Sequence, residues 1–244
     1  MDFEQHSAWE LFLDELSGLH RFMDLFTAAW CTEYRASGGN IPCTSGCYGC
    51  CSLAVNCTFG EAVAITASLD SLQAAHVASH AGKLKILAEE TNDLKSFLRD
   101  HRRTAGWCPF LDSQKGCCSV YAVRPLACRA LISTLECRWC SVDFASLPAG
   151  EKRAYLDSID SGAAAYPLHY ARVPQETGRE LEERCLTMMH DSLGFSLYGS
   201  LPVLVHLVAD HGLAAAGSVG AVYEILKKSG FTHPLLTNLN EAGS

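Results

Sequence analysis

Twelve of the thirteen cysteines of this chain fall between Cys31 and Cys140, and only Cys185 lies outside that span. The densest stretch, CTSGCYGCC at 43–51, puts four cysteines into nine positions. No other feature limits the fold as strongly. Thiols at this density are cross-linked, used as a redox pair, bound to metal, or buried as small apolar groups.

Disulfides are the weakest of these readings. The count is odd, and the N-terminal MDFEQHSAWELFLDEL is acidic where a secretory signal is basic. A cytoplasmic location is therefore expected, where the thiol pool keeps cysteines reduced. At 244 residues the chain also needs no covalent staples to bury a core. A redox pair fits the spacing Cys47-x2-Cys50, but it needs only two thiols and a βαβ setting. Metal binding accounts for the grouping as a whole: Cys43-x3-Cys47-x2-Cys50-Cys51, Cys57, then Cys108, Cys117, Cys118 and Cys128, then Cys137-x2-Cys140. Short spacings turn two sulfurs toward one ion, and a distant group closes the shell. Cys31 and Cys185 stand singly in helical patterns and are expected in the core.

Composition sets the rest of the frame. The chain is 48% apolar and 19% charged, which is globular, and its net charge is −8. Its basic residues are scattered, with no run longer than a pair such as Arg102-Arg103, so a nucleic-acid groove is not expected. The most apolar stretch, 201–226, is interrupted by His206, Asp210 and His211, which predicts a buried helix or helix pair and no membrane span.

Apolar residues at three- and four-residue steps (Trp9, Phe12, Leu16, Leu19, Met23, Phe26, Trp30) predict a helix over 3–36, stopped by SGGN. A second helical region runs from Phe59 to His101, read as two helices with a break near Ala81-Gly82. Residues 107–129 read as two short extended runs joined by a polar turn with glycine. A short helix near 147–160, a Pro/Gly-punctuated connector over 161–178, and helices near 179–192, 199–214 and 217–229 complete the chain. The expected fold is mostly α: a helical bundle with a short cysteine-rich, irregular or two-stranded insertion carrying the metal centre. Its parts are an N-terminal helix (1–42), a cysteine-cluster segment (43–145) and a C-terminal helical region (146–244) packed on it, the alternative being one continuous domain.

CTSGCYGCC at 43–51, CPFLD at 108–112 and CSVYAVRPLACR at 118–129 together resemble the YkgJ-type cysteine-cluster family, also described as a zinc- or iron-chelating domain. The resemblance implies a bound zinc or iron–sulfur cluster, with Cys43, Cys47, Cys50, Cys51, Cys108, Cys118 and Cys128 as metal ligands. Tyr121, Arg124, Pro125 and Arg129 also match. Arg124 and Arg129 are expected beside the centre, offsetting thiolate charge and donating to sulfur. Cys57, Cys117, Cys137 and Cys140 lie outside the matched positions and leave room for a second site. Seven thiols exceed one tetrahedral shell, so either some only support the centre or there is more than one. An all-sulfur shell argues against magnesium or calcium.

Other features read as structural. Glu61 is placed to stabilise a helix N-terminus. His76 and His80 share a helix face and are expected at the surface. Met188-Met189-His190 beside Cys185 reads as core packing. No phosphate-cradling glycine loop and no zinc-protease motif is present. The leading function is a thiolate metal-binding protein in a structural, redox or sensory role. Two alternatives stand beside it. One is an enzyme, because the family is similar to the flagellin lysine methylases that use S-adenosylmethionine. The other is a zinc-built module that binds a partner protein.

Overall fold

The computed structural model describes residues 3–44 and 46–241. Helix α1 runs Phe3–Ala36, as the periodicity predicts. Phe12, Leu16, Leu19 and Met23 bury one stripe of it, while Phe22 lies outside the stripe and stacks on Phe26. That stripe packs on α8 (Arg172–Leu193) and on the short α5 (Leu126–Ala130).

The region 59–101 contains three helices, not two: α2 (Phe59–Thr66), α3 (Ser71–Glu90) and α4 (Leu94–Asp100), continued by a π turn at His101–Ala105. The expected break at Ala81-Gly82 is instead the middle of α3, where Ala81 is fully buried. The breaks fall where side chains compete for the backbone. Asp70 Oδ1 accepts from Gln73 N at 2.8 Å, and Gln73 Oε1 accepts from Asp70 N at 3.0 Å, a reciprocal cap. Asp93 caps α4 one way only, its Oδ1 accepting from Ser96 N at 2.9 Å. One interior glycine costs only about 1 kcal/mol, and packing of α3 against α9 (Leu201–Asp210) outweighs it.

Two small antiparallel sheets accompany the helices. Strands β2 (Leu111–Asp112) and β3 (Cys117–Cys118) form the expected two-stranded piece. The second sheet, in the order β1 (Asn56–Thr58), β4 (Phe195–Ser200), β5 (Thr237–Glu241), was not anticipated. Its central strand sits where the sequence runs on into the helix of α9. Gly199 in β4 faces the Leu236 carbonyl so closely that a Cβ would lie 2.3 Å from it. Helix α8 starts at Arg172, before the expected 179, because Pro174 falls in its first turn, where a missing N–H has no helical partner to lose. Helices α6 (Arg138–Ser141) and α7 (Ala149–Ser158) precede it, and α10 (Val219–Ser229) follows α9. No described helix is long and apolar enough to cross a membrane.

One main core joins α1, α2, α3, α5, α8, β4 and α9, and Cys57, Cys185 and Met189 are fully buried within it. A second, smaller cluster is built on Tyr155, Ile159 and Ala164. Glu182 of α8 is 8% exposed and accepts a hydrogen bond from Tyr198 Oη at 3.4 Å. Burial, reinforced by the charge of Glu61, pushes its carboxyl from 4.5 up to about 8. Between those two values the folded chain keeps a proton that the unfolded chain releases, so this group's contribution to stability falls as pH rises through the window. Glu182→Gln should therefore leave the melting temperature unchanged near pH 4.5 and raise it near pH 9. The gain should be on the order of a few kcal/mol. Parallel melting curves for the two proteins across that range would remove the ionisation argument.

Candidate metal centre

The chain leaves α1 through Pro42, and Cys43 Sγ then accepts a hydrogen bond from Ser133 N at 3.2 Å. Gly46, with φ of +87°, reverses the backbone, and Gly49–Ser52 form one tight 3-10 turn that carries Cys50 and Cys51. This turn presses against α6. A Cβ on Gly49 would lie 2.5 Å from the Cys137 carbonyl oxygen and 2.9 Å from Cys140 Cβ, so no larger residue fits there. Ser52 Oγ donates to the Cys140 carbonyl at 3.3 Å across the same contact. On the other side, Cys108 N donates to the Cys51 carbonyl at 2.8 Å and fastens the CPFLD segment to the turn. The β2–β3 hairpin then presents Cys118, and α5, entered through Pro125, presents Cys128.

Thiols from four stretches distant in sequence therefore lie within electrostatic range of Cys50. The Cys51 thiol, then burial, drive the Cys50 thiol far above its ordinary value of 9.0, with Cys137 adding to the effect. Burial raises Cys43 to about 11 and Cys108 to about 12, and Cys50 contributes to both. Cys118, Cys128 and Cys140 are likewise raised by burial first and by the charge of Cys50 among others. Cys47, raised to about 12 by burial, has Cys137 as its hydrogen-bonding neighbour. All these thiols resist ionisation in the absence of a cation, and a soft divalent ion is the partner that would favour their thiolates.

All thirteen cysteines are free thiols. Among the described residues, no three His, Cys, Asp or Glu side chains stand together as a ready coordination shell. The fold supplies proximity and donor type, and all the clustered donors are sulfur. That set fits zinc or iron and does not fit an oxygen-seeking cation.

Cys137 and Cys140 belong to this neighbourhood although they lie outside the matched motifs. Their Cys-x2-Cys spacing was the available signal. His169 gave none. Its Nε2 lies 3.4 Å from Cys140 Sγ, and its Nδ1 lies 2.9 Å from Tyr155 Oη. Burial lowers His169 to about 4, so the ring is neutral.

Arg124 and Arg129 point elsewhere than expected. Both pair with Asp24 of α1, Arg124 Nη2 at 2.9 Å. Arg129 also donates to the carbonyls of Arg124 and Ala122, and Arg124 lies over the Tyr121 ring. Their donors brace the loop before Cys128 against α1, and Arg124 reaches Cys118 only through its charge. Cys57 pairs with Gly199 in the sheet and is buried in the core, while Cys117 stands opposite Asp112 in the hairpin.

Glu61 is a cap, as expected, and more. Its Oε2 accepts from Thr58 N at 2.8 Å, and its Oε1 accepts from Leu126 N at 2.7 Å and lies 3.2 Å from His20 Nε2. The two histidines of α3 separate: His76 is exposed, while His80 is buried against His101, both rings being lowered to about 4 by burial. His80 lies inside because α3 turns that face toward the π turn. Neither ring joins the thiols.

Fold and donor set together define a mostly α-helical protein with a cysteine-rich metal-chelating segment. Residues 42–144 match the CxxCxxCC family model, whose description is "Putative zinc- or iron-chelating domain". Neither the curated proteins nor the solved structures compared with the chain contain a match.

Proposed function

We propose that the protein holds a thiolate-bound iron–sulfur cluster or zinc at its cysteine-rich end, in a structural, redox or sensory role. The observation that carries this reading is the position of Cys50, within electrostatic reach of Cys43, Cys108, Cys118, Cys128, Cys137 and Cys140. Together with Cys47 and Cys51, these thiols would make two sets. One is Cys43, Cys47, Cys137 and Cys140; the other is Cys50 or Cys51 with Cys108, Cys118 and Cys128. Each offers the four sulfurs that tetrahedral zinc or a four-cysteine cluster takes. Rotation of side chains on turns already in place would close the shells, so metal binding would add directly to the stability of this end. The Ser133 amide on Cys43 and the His169 ring beside Cys140 are placed to support ligating sulfurs.

The test is purification without oxygen, followed by a visible spectrum and assay of iron, zinc and sulfide. A brown protein with stoichiometric iron and sulfide supports a cluster; a colourless one with bound zinc supports zinc. A natively folded, metal-free protein that takes up neither would end the proposal.

A further inference from the structure

A cavity of about 700 Å³ opens between the main core and the small cluster built on Tyr155, Ile159 and Ala164. It is formed where α5, α7, α8 and the segment 167–170 meet. Well-packed interiors do not leave voids of that size, whereas pockets for small organic ligands commonly have it and occur at such seams.

The lining is mostly apolar, and one side of it is aromatic. Trp139 and Phe144 lie with ring centroids 4.8 Å and 5.0 Å from Tyr155, and Tyr170 completes that wall. The charged lining groups are Arg102, Arg179 and Glu182. Arg102 donates to the Val142 carbonyl, and among the described residues neither arginine is in an ion pair. Two guanidinium groups against one carboxyl leave the cavity positive. The aromatic wall also leads to the thiols, since Tyr155 reaches His169 and His169 reaches Cys140, itself a residue of the lining.

The geometry points to a binding site for a small aromatic organic anion, its rings against Trp139, Phe144, Tyr155 and Tyr170 and its charge met by Arg102 and Arg179. Aromatic walls favour a planar apolar body, and guanidinium groups outside any ion pair, near an apolar surface, favour a carboxylate or sulfonate. The inference does not rest on the metal reading, although Cys140 belongs to both, and the occupant would lie beside the thiols.

The probe is 8-anilinonaphthalene-1-sulfonate, titrated by fluorescence and calorimetry into folded protein as purified. One saturable site per chain is expected, with a dissociation constant in roughly the micromolar range. The neutral analogue N-phenyl-1-naphthylamine should bind at least about tenfold more weakly. Leu156→Trp, which fills the cavity, and Arg179→Gln, at an exposed position, should each weaken the sulfonate by about tenfold or more. Metal content and the melting temperature should stay unchanged in both. Absence of a saturable site, or unaltered affinity in both variants, overturns the site. Equal affinity for the two dyes overturns its assignment to an anion. Metal content is measured on the same samples, so failure here is distinct from failure of the metal centre.

Discussion

Cys50→Ser should lower metal affinity by about 100-fold or more, and Cys185→Ala should leave it unchanged. Cys50 is the thiol on which the others converge. Removing it takes a ligand, or the sulfur bridging both sets, from the middle of the centre. Cys47→Ser and Cys128→Ser should behave like Cys50→Ser, since each belongs to one of the two sets. Cys185 has the opposite setting: it is fully buried on α8 within the main core, and its loss is a packing defect. Metal content by elemental analysis and the melting temperature with and without a chelator are the readouts. In the wild type a chelator should lower the melting temperature, and in Cys50→Ser it should change little. Equal metal loss in all four variants would mean that the division between ligand and core cysteines is mistaken.

The second large effect is expected at Glu61, which touches no proposed metal ligand. Glu61→Ala removes the acceptor of the Thr58 and Leu126 amides and the partner of His20, all at a fully buried position. Stranding those groups should cost about 3–5 kcal/mol. That corresponds to a melting temperature lower by roughly 10 °C for a chain of this size. Glu61→Gln, which keeps a carbonyl oxygen, should lose less. Urea unfolding of metal-loaded protein measures both. A loss below about 1 kcal/mol for the alanine variant would show that water or a neighbour replaces the carboxylate. Because the Leu126 amide opens α5, which carries Cys128, the same carboxylate also helps set the position of that thiol.

Much of the framework was legible because it is local. The spacing of Phe12, Leu16, Leu19 and Met23 specifies α1 wherever the rest of the chain goes. The polar, glycine-containing stretch after Leu111-Asp112 specifies the β2–β3 hairpin in the same way. The helix starts at Asp70 and Asp93 were also written locally, as caps, but the interior Gly82 was the more conspicuous signal. The sheet of β1, β4 and β5 was not legible. Its strands come from residues 56–58, 195–200 and 237–241, and nothing in each short run names its partners.

The cysteine sequence by itself determined the chemistry: thiols too many and too closely spaced for core packing, on a helical chain, of the type that takes zinc or iron. The motif resemblance added the expectation that CTSGCYGCC shares its centre with the distant 108–128 segment. Tertiary structure decided which other residues surround those thiols. It brought Cys137 and Cys140 against Gly49, set His169 beside Cys140, buried Cys57 away from solvent, and turned Arg124 and Arg129 onto Asp24. The physical reason is range. A cap or a Cys-x2-Cys turn is settled within a few residues, whereas neighbours separated by scores of residues are chosen by how the helices pack.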